Sequence, residues 1–206
     1  MTRLKPSSLS ILKQSTELLD FPFDGLVAGI DEAGRGAIAG PVTAAVVILS
    51  KNHDIKTIDD SKRLTPSKRE KTRKIIEKQA LYWSVAHVGV DEIDLQNILK
   101  ATFLAMHQAI GQLKINPDLL LVDGNRFLPY KDLKYECIVK GDQKYKLIAA
   151  ASILAKTHRD LLMKNLHQQH PEYHWLQNKG YPTPQHKIAV KKNGLSPWHR
   201  KSFQCT

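Results

Sequence analysis

Asp31, Glu32, Asp123 and Asp142 are the residues whose types and spacing fit a chemical site. Asp31 ends the apolar run LVAGID, Asp123 ends LLLVD, and Asp142 follows YECIVK after Gly141. In open α/β sheets, ligands gather at the carboxyl ends of strands. Four carboxylates so placed are hard oxygen donors of the kind that Mg²⁺ and Mn²⁺ prefer, and no His or Cys stands among them to favour zinc. Clustered without a cation they would repel one another, which is the physical case for a metal. Asp31 and Glu32 are neighbours, and in an unbroken strand they would point to opposite faces. The expectation is therefore that the chain leaves the pleat here, with AGRG supplying the freedom. Taken singly, each acid also reads as a turn former or helix cap, Asp123-Gly124 being itself a turn dipeptide.

The loop after the first acids, DEAGRGAIAG, sets Gly34 and Gly36 around Arg35, which would let main chain and guanidinium approach a nucleic-acid backbone. Gly34, Gly36 and Ala39 also fit the dinucleotide fingerprint G-x-G-x-x-G/A. That fingerprint must open a helix, whereas Pro41 and a β-branched run follow here. His167, His170 and His174 read as a polar helix end before Pro171 rather than a zinc site, since no Cys lies near. Ser152 sits among small residues and reads as packed, with no pairing motif for a nucleophile.

The elements that must position these groups follow from periodicity. Strands are predicted over 26–31, 41–49, 81–90, 119–123 and 135–140. Helices are predicted over 65–80, with Thr65 at the N-cap and Pro66 at N1, over 94–114, over 146–166 and over 184–193. Three strands followed by alternating helix and strand argue an α/β domain with a mixed five-stranded sheet flanked by helices, plus a small C-terminal helical appendage. The expected division is an N-terminal extension over 1–25, a catalytic domain over 26–164 and a C-terminal helical substrate-binding region over 165–206.

The chain has 206 residues, 42% hydrophobic and 25% charged, the mixture of a soluble globular protein. No apolar run reaches the ~20 residues of a membrane span, no signal peptide is evident, and Cys137 and Cys205 form no disulfide framework, so a cytoplasmic protein is expected. Thirty-one Lys and Arg against twenty Asp and Glu give +11, which points to an anionic partner, nucleic acid first. Residues 62–78 hold eight basic and two acidic residues. After Glu172 no acid appears, while Lys179, Lys187, Lys191, Lys192, Arg200 and Lys201 do. With Tyr181 and Trp198 nearby, these stretches fit a charged groove with stacking positions, touching phosphate and sugar rather than base edges.

GIDEAGRGAIAGPV, DDSKRL, LLVDGN, VKGD, AASILAKTHRD, GYPT and SPWHRKSF, in that order from about residue 26 to 203, resemble bacterial ribonuclease HII of the type 2 ribonuclease H family. The resemblance implies a ribonuclease H-like fold and an endonuclease that cuts RNA within RNA–DNA hybrids and at single ribonucleotides embedded in duplex DNA. It implies two divalent ions, Mn²⁺ or Mg²⁺, on Asp31, Glu32, Asp123 and Asp142, and products with 5′-phosphate and 3′-hydroxyl ends. It also implies substrate contact by Gly34, Arg35, Gly36, Ser61 and Lys62, and junction sensing by Tyr181. Ala37 departs from the proline expected in many relatives. A monomer is expected, with no evident sliding-clamp peptide in the three residues after Phe203. A non-catalytic nucleic-acid-binding module and a different nuclease of the same fold are the alternatives, which fold alone does not separate.

Overall fold

Five strands, β1 (Val27–Ala33), β2 (Val42–Ile48), β3 (Tyr82–Val88), β4 (Leu119–Asp123) and β5 (Lys134–Ile138), form one mixed sheet in the order β3-β2-β1-β4-β5. The computed structural model describes residues 17–51 and 53–205. Most of the expected N-terminal extension, residues 1–16, lies outside the described residues. β1, β2 and β3 are antiparallel neighbours, and β4 and β5 join β1 as parallel strands. This is the mixed α/β sheet that the strand and helix pattern predicted.

β2 is buried at all seven positions, as its unbroken run VTAAVVI requires for a strand covered on both faces. Helix α4 (Lys146–Gln169) covers one face, packing Ala149, Ala150, Ile153 and Leu154 with Ala45 and Val47. Helix α3 (Ile98–Gly111) covers the other, packing Ala101, Ala105, Met106 and Ile110 with Ile30, Ala44 and Val46. Each buried Ile, Leu or Met contributes about 1.5–3 kcal/mol of transfer free energy. On the α4 face the contact is close enough to demand glycine. A Cβ at Gly29 would lie 2.3 Å from the Leu147 carbonyl carbon and oxygen.

Helix α1 (Pro66–Gln79) starts as expected, with the Thr65 side chain accepting from the Lys68 amide at 3.3 Å and proline in the first turn. The single helix expected over 94–114 is instead two, α2 (Val90–Gln96) and α3. Asn97 divides them. It takes φ 77°, and its Oδ1 accepts from the Leu99 and Lys100 amides, so its short side chain caps a new helix instead of continuing the old one. α4 runs three residues past its expected end, stopping two before Pro171. It therefore passes unbroken through the expected 164/165 division.

Beyond α4, the short helix α5 (Trp175–Asn178) and helix α6 (Pro184–Asn193) close on a core of their own: Ile38, Met163, Leu166, Tyr173, Trp175 and Val190. Ile38 belongs to the loop after β1 and Met163 to α4, so the C-terminal region is packed directly onto the glycine loop. His170 bonds Glu172 at 3.4 Å, and no His/Cys/Asp/Glu metal cluster forms there among the described residues. No described helix is long and apolar enough to cross a membrane.

Candidate active site

β1 does not leave the pleat at Asp31. It stays paired with β2 through Asp31–Ala45, Glu32–Ala44 and Ala33–Thr43, while its pairing with β4 stops at Ile30–Val122. Asp31 and Glu32 therefore do face opposite sides of the sheet. Asp31 lies on the α4 side with Gly29, where the Ser152 hydroxyl bonds its carboxylate. Glu32 lies on the α3 side, near Leu99, Thr102 and Met106. The faces meet because β1 outruns β4. The β1 edge is uncovered beyond Ile30, and Asp123, the last residue of β4, stands close enough for its charge to act on both Asp31 and Glu32.

Asp123 is held by its own neighbourhood, its Oδ1 accepting from the Gly141 amide at 2.7 Å. The same turn carries Asp142, whose Oδ2 accepts from the Lys62 ammonium at 3.0 Å. Asp60 ties the two segments together, accepting from the Lys62 amide (2.9 Å) and from the Gln143 side chain (3.2 Å). Ser61 is buried, with its hydroxyl 3.0 Å from that of Ser152. The expected phosphate-contact residues Ser61 and Lys62 are thus engaged inside the acidic site. Glu32 in turn accepts from Arg35 at 3.1 Å.

Burial is the first cause of an upward shift in three of these acids. The Asp31 carboxyl is held well above the usual carboxylate range, with the charges of Glu32 and Asp123 adding to burial. Glu32 is also raised by burial, against the pull of Arg35, and Asp123 by burial and the charge of Asp142. Partial burial pulls Lys62 down, but its bond to Asp142 and the charges of Asp142, Asp60 and Asp31 outweigh that, and the net shift is upward. Among the described residues no three His, Cys, Asp or Glu side chains are drawn into one coordination sphere. Arg35 holds Glu32, and Lys62 covers Asp142, which is 3% exposed. The donor set is all oxygen, and its mutual repulsion and burial are what a bound divalent cation would relieve, so the residues fit a hard divalent cation.

Asp31, Glu32 and Asp123 open onto a cleft of about 390 Å³, whose other walls include Gly34, Arg35, Gly36, Lys62, Arg69, Lys156 and Tyr181, while Asp142 lies buried behind Lys62 and does not line it. Gly34 has φ +94°, and a Cβ there would lie 2.0 Å from the Arg159 Nε. Tyr181 reaches the cleft from the C-terminal region because Gly180 is clipped to the loop, its carbonyl accepting from the Ile38 and Ala39 amides at 2.8 and 3.2 Å. Its ring comes within 4.0 Å of where a Gly36 Cβ would stand, and the Lys156 and Arg159 cations lie 5.8 and 5.4 Å from its centre.

Two positions differ from the expected groove. Arg200 is not a surface contact but fully buried, and Trp198 is half-buried against the C-terminal core. Sequence reasoning missed Asp60, Lys156 and, above all, Arg159, which is also fully buried, while Arg69 comes from the basic stretch 62–78. A signal for Arg159 existed. It falls on the helical stripe Ser152, Ala155, Arg159, Met163, Leu166, and an arginine on an apolar stripe requires a buried partner.

Residues 28–206 match the family Ribonuclease HII. The chain is similar to Ribonuclease HII of Parabacteroides distasonis, with 56% identity over 85% of this chain and 88% of the relative. It is similar to Ribonuclease HII of Christiangramia forsetii, with 54% identity over 86% and 90%. Among solved structures, ribonuclease H2 from Pyrococcus horikoshii superposes with TM-score 0.75 and 29% identity, covering 87% of this chain and 94% of that one. Bst-RNase HIII in complex with Mn²⁺ shares the fold at TM-score 0.71 and 17% identity, over 87% of this chain and 67% of that one.

Proposed function

The chain belongs to the ribonuclease HII family, and from that premise we propose that Asp31, Glu32, Asp123 and Asp142 hold two divalent ions with which it cuts beside a ribonucleotide, including one embedded alone in duplex DNA. As a member of that family it is a metal-dependent endonuclease with ribonuclease H activity, acting on RNA–DNA hybrids. The finer reading rests on one observation: the three raised carboxylates share a single cleft with a glycine loop and a tyrosine delivered from another part of the chain.

When bound, the ions supply an activated water and neutralise the leaving 3′ oxygen, which gives 5′-phosphate and 3′-hydroxyl ends. The rest is done by this chain's side chains and amides. Arg69 and Lys156 line the cleft and attract the substrate backbone. Lys62 and Arg35, paired with Asp142 and Glu32, keep much of their side chains exposed at the cleft and would offer their charge to substrate phosphate. Ser61 holds the Ser152 hydroxyl, which in turn bonds Asp31, and so acts on substrate through the acids.

Selection of a ribonucleotide requires sensing of its 2′-hydroxyl. Arg35, Gly36 and Tyr181 line the same cleft as Asp31, Glu32 and Asp123, so the loop amides and the Tyr181 hydroxyl are the donors proposed for this, and the Tyr181 ring offers a stacking face for the next sugar. Residues 165–206 then act as the substrate-binding part of the molecule through Tyr181, and 26–164 as the catalytic part. The proposed reading includes action as a monomer in the cytoplasm. Cleavage of three matched duplexes tests this: all DNA, one embedded ribonucleotide, and a continuous RNA–DNA hybrid. Cutting of the second and third but not the first is expected. Cutting of the hybrid alone would remove the single-ribonucleotide reading.

A further inference from the structure

Arg159 and Arg200 have no part in the chemistry above, yet both are fully buried cations. All the guanidinium hydrogen bonds that they make among the described residues go to main-chain carbonyls. Burial pushes Arg200 down to about 9 and lowers Arg159 as well. Removing two such charges from water without a carboxylate partner is costly, so what they hold matters.

What they hold is the loop that lines the cleft. Arg200 donates to the carbonyls of Gly34 (2.7 Å), Arg35 (2.9 Å) and Gly40 (2.9 and 3.0 Å). Arg159 donates to Pro41 (2.9 Å) and Ala39 (3.1 Å), and across to Lys179 (2.8 Å), two residues before Tyr181. In a trans peptide the carbonyl and the next amide point in opposite directions. With the carbonyls of Gly34 and Arg35 turned inward to Arg200, the amides of Arg35 and Gly36 are turned outward. Neither amide donates within the protein among the described residues, and both residues line the cleft. Arg159 adds the second constraint, since it grips the loop with two donors and the Tyr181 segment with a third, beside the clip from Gly180 to Ile38 and Ala39.

We propose that Arg159 and Arg200 are positioning residues for substrate selection: Arg200 aims the Arg35 and Gly36 amides into the cleft, and Arg159 fixes their distance from Tyr181, so that the pair sets the register in which a 2′-hydroxyl is read. This rests on the reading of that loop and Tyr181 as the ribonucleotide sensor. Neither arginine touches substrate.

Arg159→Lys and Arg200→Lys keep the charge but replace a planar fork by a single ammonium, which cannot span carbonyls on two segments. Three readouts are taken on the full chain: the ratio of single-ribonucleotide to continuous-hybrid cleavage rates, amide hydrogen exchange at Ile38 and Ala39, and the melting temperature as a check on folding. For Arg159→Lys the ratio falls by about ten- to a hundredfold, the scale of a misplacement near 1 Å, and both amides exchange faster. In the double variant with Tyr181→Ala, Arg159→Lys lowers the ratio no further, because it acts through that residue. Arg200→Lys lowers the ratio through the loop alone, and it carries the test if Arg159→Lys fails to fold. An unchanged ratio with native exchange at Ile38 and Ala39, or an equal fall on both substrates, overturns the proposal. If Tyr181→Ala alone leaves the ratio at the wild-type value, the sensor reading fails, while faster exchange in Arg159→Lys still upholds the clamp.

Discussion

Asp31→Asn should inactivate the enzyme and stabilise it when no metal is added. The Asp31 side chain is buried among like charges, with Glu32 beside it and Asp123 across the gap where β4 ends. Asparagine keeps its shape and its bonds, since Oδ1 can accept from the Glu32 amide (2.7 Å in the native chain) and the amide nitrogen can donate to Ser152. Only the charge is lost. A carboxyl raised on folding contributes stability that is fully present below its unfolded value of 3.8 and is lost as the pH rises through its folded value. At pH 8 the native carboxylate therefore opposes folding. Its removal should return about 1–2 kcal/mol, the lower part of the cost of burying an ill-compensated polar group. For a chain of this size that is a rise of about 2–8 °C in melting temperature. Cleavage should fall at least about a hundredfold, on the scale of losing one preorganised electrostatic group. The assay is a melt in EDTA and again in Mn²⁺, for both proteins. Mn²⁺ should raise the wild-type midpoint and move the variant's much less. A variant that melts below wild type in EDTA, or gains as much from Mn²⁺, would refute the reasoning.

Tyr181→Ala should lower single-ribonucleotide cleavage by about 1–3 kcal/mol, the worth of one stacking contact, and hybrid cleavage less, with Tyr181→Phe between them; a constant ratio of rates across the three proteins would make Tyr181 a packing residue. Log affinity for duplex should fall linearly with log salt, and charge reversal at Lys187, Lys191 and Lys192 on α6 should make the slope shallower; an unchanged slope would place α6 away from the substrate. His199 is depressed from 6.5 to about 4 by burial and by His186. It accepts from Ser196 through Nδ1, and its Nε2 meets that of His186 at 3.1 Å. Its stabilising contribution is therefore full above about pH 6.5 and lost as the pH falls toward 4. The melting temperature should drop between pH 7 and pH 5, and drop less in His199→Asn; an equal drop in both would clear His199 of the effect.

Where local chemistry decides structure, the sequence was readable. Thr65-Pro66 and Thr183-Pro184 each start a helix where expected, because a side-chain cap and a proline act on the residues beside them. The β-branched run of β2 and the apolar LLLVD of β4 announced buried strands. Of the acids, the strand-end pattern places Asp123 correctly at the end of β4, but it misplaces Asp31 and Glu32, since β1 runs on to Ala33. Asp31 and Glu32 remain in the strand, and what brings their faces together is the difference in length between β1 and β4, a property of two strands far apart in sequence. The break at Asn97 was hidden because the apolar spacing on either side is helical throughout. In sequence Arg200 reads as one more surface cation, because composition cannot tell a solvated guanidinium from one that has found main-chain carbonyls. Pairings such as Lys62 with Asp142 join residues 80 positions apart and depend on the finished fold.

The most direct measurement compares one duplex in two forms, identical except that a single position carries ribose or 2′-deoxyribose, with Mn²⁺ present or chelated, for wild type and Asp123→Asn. The expected result is a cut by the wild-type protein at the ribose-containing duplex only, with Mn²⁺ only, leaving 5′-phosphate and 3′-hydroxyl ends, and none by Asp123→Asn. Cleavage of the all-deoxy duplex, cleavage in the chelator, or wild-type turnover by Asp123→Asn would contradict the assignment of the acidic cleft as a metal-dependent, ribonucleotide-selective active site.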